Sequence, residues 1–238
     1  MNKVNAMLPV TAQPSVLPEK PTGSGISPQQ KLYPGLDYLA PLTQIVITQK
    51  RQFSWSCVPD ISFSALDPDG QELLLFKFVG SCAEFCTSCA CEMTGSDSDE
   101  KEVIRFVRKF GLCRQSLDVQ APAGQGIGRV TQTWSFCRSA FIVTDENGTE
   151  AYYIEGLGFH CAFGQDIHYK IFEGPGSSSG KEVGNITKKW RGFTQELSPY
   201  SNKFLIEFPV DADAKMKAVL VGAGVLLGLM LADSGRNQ

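Results

Sequence analysis

The chain has 238 residues, 42% of them hydrophobic, and a net charge of −3. That much apolar material supplies one sizeable core, or two small ones. So mild a charge balance gives no global basic field, which excludes nucleic acid as the main partner and leaves only local basic spots to read.

Residues 1–32 are rich in Pro, Ser, Gly and Gln and poor in apolar residues, the composition of a disordered tail. They contain no apolar run of signal-peptide length and no Gly after the first Met, so neither secretion nor N-myristoylation is expected. The body should then face the cytosol or nucleus. There its eight cysteines serve as buried thiols, metal ligands or lipid-attachment sites, not as structural disulfides. Pro18-Glu19-Lys20-Pro21 is a minimal PxxP. It reads either as a ligand for a proline-binding protein module or as solvated linker.

From Leu42 the texture changes to short β-like segments punctuated by turns: TQIVITQ, then ELLLFKF after the turn Asp67-Pro68-Asp69-Gly70, then VIRFVRKF. GIGRVTQTW, AFIVTDENGTEAYYIEG, DIHYKIFEG, KEVGNITKKW and KFLIEFP continue the series. Asn147-Gly148 between two such runs is a strong hairpin signal. The acidic stretch from Gly95 to Glu102 reads as a solvated loop, since it lacks the glycine turn and terminal bidentate acid of a calcium loop. Roughly ten to twelve strands with one helix at the end make a barrel or sandwich.

That helix is predicted over about 212–232, with Asp213 as its N-cap. No charge interrupts Ala218 to Ala232, about 22 Å of helix against the about 30 Å of a bilayer core. The length is short for a span and generous for a core helix. A helix apolar on every side must be surrounded, and a closed barrel can do that, with Gly222, Gly224 and Gly228 admitting strands closely. The rival reading, a membrane span, lacks a GxxxG spacing and puts Lys217 at the membrane edge. Enzyme readings find little support: there are two histidines, and no GxSxG, Walker loop or HExxH.

Four blocks in order, PGLDYLAPLTQIVI, VQAPAGQGIGRVTQTW, VGNITKKWRG and FPVDADAKMKAVLVGAG, resemble the phospholipid scramblase family over residues 34–238. The resemblance implies a mainly β fold: a closed twelve-stranded Tubby-like barrel around a buried C-terminal helix, formed by residues 33–238. It implies ATP-independent, bidirectional, calcium-activated movement of phospholipids across the plasma membrane, with the chain on the cytoplasmic face and a nuclear pool. The alternative from another class is a non-transporting lipid-binding or adaptor protein with nuclear import.

The resemblance also places working parts. The family's calcium segment falls on Tyr200 to Asp211, with Asn202, Phe204, Ile206 and Asp211 as candidate calcium positions. Tyr200 and Asn202 stand where the family has Asp, so the segment reads more readily as a strand leading into a helix cap than as a calcium loop. The family's palmitoylated cysteine run is reduced to Cys113, while Cys82, Cys86, Cys89 and Cys91 form an upstream cluster. Acylation, buried thiols and zinc compete there; zinc is disfavoured because Cys89-x-Cys91 is too tight and no second spaced CxxC exists. Lys188, Lys189, Trp190 and Arg191 match an import segment of some members, and the same set could dock on anionic headgroups or form an exposed strand.

Overall fold

In the computed structural model, the structure describes residues 33, 35–53, 59–79, 90–111, 114–133, 138–157, 165–176, 179–190 and 200–234. Twelve strands occur in chain order: β1 (Gln44–Phe53), β2 (Pro59–Leu66), β3 (Glu72–Phe78), β4 (Cys91–Ser96), β5 (Glu102–Lys109) and β6 (Ser116–Gln120). They continue as β7 (Gly126–Thr133), β8 (Arg138–Asp145), β9 (Glu150–Leu157), β10 (Ile167–Glu173), β11 (Glu182–Lys189) and β12 (Tyr200–Glu207). Each pairs antiparallel with the next, and β12 closes on β1, so no edge is left open. A 3-10 turn (Asp37–Leu39) precedes the barrel and a helix, α1 (Ala214–Ser234), follows it.

Side-chain alternation drives the strands. Ile45 and Ile47 of β1, Leu74 and Phe76 of β3, Ile104 and Phe106 of β5, and Phe204 and Ile206 of β12 are buried at every second position. Fully burying each such side chain contributes about 1.5–3 kcal/mol.

Three hairpins share one turn. In 67–71, 97–101 and 145–149 the first Asp accepts, through Oδ1, the backbone N–H four residues on, at 2.8, 3.0 and 2.8 Å. Its own N–H reaches the carbonyl of that same residue. The fourth position has positive φ: Gly70 at +86°, Gly148 at +81° and Glu100 at +59°. The Asn147-Gly148 hairpin is found here; of the acidic stretch only the turn from Ser98 to Lys101 is exposed, while Gly95 and Ser96 belong to β4 and Glu102 to β5.

The helix is sheltered. The Met216 N–H donates to Asp213 Oδ1 at 2.8 Å, so Asp213 is the expected N-cap. From Ala218 to Leu229 every residue is buried, and consecutive helical residues point in all directions. Val219 packs on Gly128 of β7, Gly222 on Val119 of β6, and Gly224 on Ile206 of β12. At Gly228 a Cβ would stand 2.5 Å from Cε1 of Phe63, so only glycine fits between helix and β2. By length and composition α1 could cross a membrane; in this fold its lining is the chain's own sheet.

One charge enters this core. Lys217 is 6% exposed, and its Nζ donates to the carbonyls of Ala40 (2.6 Å) and Leu42 (2.9 Å). Burial pushes its ammonium below the usual lysine range, opposed by the nearby Asp213 carboxylate. The sequence reading set Lys217 at a membrane edge only under the spanning alternative; here it ties the helix start to the 3-10 turn.

Candidate functional site

The antiparallel order gives the barrel two unlike ends. One carries the tight turns, including 67–71, 97–101, 121–125 and 145–149, together with the start of α1. Phe53, Phe78, Lys109, Thr133, Leu157 and Lys189 end their strands at the other, the far end.

The candidate calcium residues do not come together around a cation. Tyr200–Glu207 is strand β12, not a loop. Phe204 and Ile206 are fully buried against the helix. The Asn202 amide donates to Oε1 of Gln49 at 2.8 Å. Asp211 lies exposed in the turn before α1. A calcium ion takes six to eight oxygens, several of them charged. Two apolar side chains and one engaged amide do not fit that ion. The segment has the form of the alternative reading, a strand leading into a helix cap. Among the described residues no group of three or more His, Cys, Asp or Glu could hold a metal.

The basic segment is divided by the sheet. Lys188 shares the inward parity of Ile186 and is 7% exposed, so it is not available on the surface as the headgroup and import readings require. Lys189 points outward, and its Nζ lies 3.1 Å from Asp166 Oδ2. The other oxygen, Asp166 Oδ1, accepts the Trp190 backbone N–H at 2.8 Å. Burial pushes the Asp166 carboxyl up, but the Trp190 N–H and Lys189 outweigh it and hold it below the usual carboxylate range. Arg191 lies outside the described residues, as do Cys82, Cys86, Cys89 and Cys113. Cys91 is half-buried at the far-end start of β4.

What the sequence reading missed is a polar layer inside the far end. Gln49, Arg108, Gln115 and Lys188 are all buried. The Arg108 Nε donates to Gln115 Oε1 at 2.9 Å, and the Gln49 amide donates to the Gly228 carbonyl of the helix at 3.3 Å. Lys188 faces Phe204 across the sheet, and the Phe204 ring lies against Gly228. A signal was present: Gln49 continues the inward parity of Ile45 and Ile47, Arg108 that of Ile104 and Phe106, and Lys188 that of Ile186. Hydrogen bonding makes such burial tolerable.

The chain is similar in sequence to known proteins. The family model described as Scramblase matches residues 80–232. The chain is 30% identical to phospholipid scramblase 2 of Bos taurus, covering 97% of this chain and 82% of that protein. It is 29% identical to human phospholipid scramblase 2, over 97% of this chain and 81% of the relative. Mouse phospholipid scramblase 1 is 29% identical over 86% of this chain, which spans 66% of that relative. No solved structure matches the chain.

Proposed function

The chain belongs to the scramblase family, and from that membership we propose that it moves phospholipids between the leaflets of a membrane to which it binds, in both directions and without ATP. The observation that carries this is the family match across residues 80–232, which takes in strands β4 to β12 and most of α1. Such movement makes and breaks no covalent bond, so it asks for a polar path and not for a nucleophile. A charged headgroup entering hydrocarbon costs several kcal/mol or more without one. The path is not the barrel lumen, because α1 and the core side chains fill it. It runs where the outside of the domain meets and disturbs the bilayer. We place that bilayer at the cytoplasmic face of the plasma membrane, with acylation of Cys91 or its neighbouring cysteines as the anchor.

Calcium is not part of this proposal, since Phe204 and Ile206 face the core. The test is reconstitution in liposomes carrying a labelled lipid. With protein present, a membrane-impermeant quencher should reach probe that began in the inner leaflet, equally with calcium and with chelator. Bleaching that stops at the outer-leaflet half would contradict the proposal.

The filled lumen favours a second reading: a lipid-binding or adaptor domain that moves no lipid. It predicts vesicle binding without any gain in inner-leaflet access. The burial of Lys188 weakens an import role for its segment under either reading.

A further inference from the structure

The two ends of the barrel differ in charge and in apolar exposure, and together these differences orient the molecule. The turns 67–71, 97–101 and 145–149 carry Asp67, Asp69, Asp97, Asp99, Glu100, Asp145 and Glu146 against Lys101 alone. At the far end exposed cations outnumber exposed acids. Lys77, Arg114 and Lys203 are exposed there; Lys109 and Lys189 are exposed too but pair with Asp118 and Asp166, and Glu92 and Glu155 also lie at this end. Lys203 and Lys189 stand opposite each other on adjacent strands.

Apolar exposure follows the same axis. Among the described residues the exposed large hydrophobics are Val79 (47%), Phe110 (60%), Leu157 (47%) and Val210 (95%). Val79 follows β3, Phe110 follows β5 and Leu157 ends β9, so three of the four lie at the far end. Val210, in the turn before α1, is at the acidic end.

We infer that the barrel docks end-on upon an anionic phospholipid surface, with Val79, Phe110 and Leu157 entering the interface and Lys77, Arg114 and Lys203 facing the headgroups. This rests on the reading that the chain acts at a membrane. A strand of eight residues is about 27 Å long, so the two ends lie more than a Debye length of about 8 Å apart. Each end therefore feels the surface separately. An anionic surface attracts the cationic end and repels the acidic one, which turns the barrel before contact. Apolar side chains ringed by cations then complete the attachment.

Flotation of the full chain with phosphatidylcholine vesicles, with and without phosphatidylserine, tests the orientation. The chain should bind the phosphatidylserine vesicles more tightly. The triple changes Val79→Ser/Phe110→Ser/Leu157→Ser and Lys77→Glu/Arg114→Glu/Lys203→Glu should each weaken binding tenfold or more. Val210→Ser should leave it within twofold. As a second readout that does not depend on the triple variants folding, brominated lipid should quench the added fluorescence of Phe110→Trp and not that of Val210→Trp. Unchanged binding by both triple variants overturns the orientation; so does a Val210→Ser loss as large as theirs, or the reverse quenching pattern. Failure of the two proposals can be told apart. Far-end binding without lipid movement sinks the transport reading alone. Movement at full rate by both triple variants sinks the orientation alone.

Discussion

The ammonium of Lys217 lies 2.6 Å from the carbonyl oxygen of Ala40, and the same group reaches the Leu42 carbonyl at 2.9 Å. This joins the first turn of the core helix to the 3-10 turn that opens the domain, 177 residues earlier in the chain. The aromatic ring of Phe208 sits 5.8 Å from the same nitrogen. Replacing Lys217 by Met keeps most of the apolar stem and leaves both carbonyls without this donor. Stability should fall by about 1–3 kcal/mol, read as a lower urea midpoint with unchanged slope.

Gly228→Ala separates a helix in a barrel from a helix in lipid. Alanine is the better helix former by about 1 kcal/mol, so in lipid the change should be neutral or favourable. Here the new methyl meets the Phe63 ring at 2.5 Å. Crowding of that kind costs about 1–3 kcal/mol, and thermal melts should show a net loss.

Glu100 occupies the position that glycine holds in the two sister turns, with φ of +59°. A left-handed backbone costs a residue with a Cβ about 1–2 kcal/mol, partly offset by the greater freedom of glycine in the unfolded chain. Glu100→Gly should therefore raise stability by about 0.5–1 kcal/mol. Gly148→Ala, the reverse change in the same turn, should lower it.

Acid should unfold the domain through its depressed carboxylates. Burial pushes Asp118 up, but hydrogen bonds from Arg129 and Lys109 outweigh it and hold the carboxyl below the usual range. Backbone N–H donation, first from Thr149, does the same for Asp145, and Asp166 is held low as described. A depressed folded-state value stabilises above the unfolded value of about 4, and the gain is lost as pH falls through the folded one. Urea midpoints should hold near neutrality and drop below about pH 4. Asp118→Asn should start lower and fall less steeply.

The strands rich in Ile, Val and Phe were legible because their period of two is strong. ELLLFKF, VIRFVRKF and DIHYKIFEG all became strands where the pattern put them. Three strands, β2, β4 and β6, were not picked out. In β4, CEMTGS, Met93 is the single large apolar residue, and the inward position 95 is glycine, where a Cβ would strike Ile104 and Phe76. In β6, SLDVQ, an outward Asp interrupts a five-residue run. The helix was legible from its unbroken apolar stretch and its Asp213 cap. The burial of Lys217 was not, because its partners are main-chain carbonyls that leave no mark in the sequence. The division of Lys188 from Lys189 was readable from parity, since adjacent strand residues point to opposite faces.

Amide hydrogen exchange across Val219–Leu229, on the full chain in buffer without lipid or detergent, is the most direct measurement. Strong protection lost together with that of Ile47, Phe106, Phe204 and Ile206 as urea rises is the predicted result, since these strand residues line the helix. Rapid exchange of the helix while those strands stay protected, with slow exchange returning only on addition of lipid, would contradict a helix housed by its own barrel.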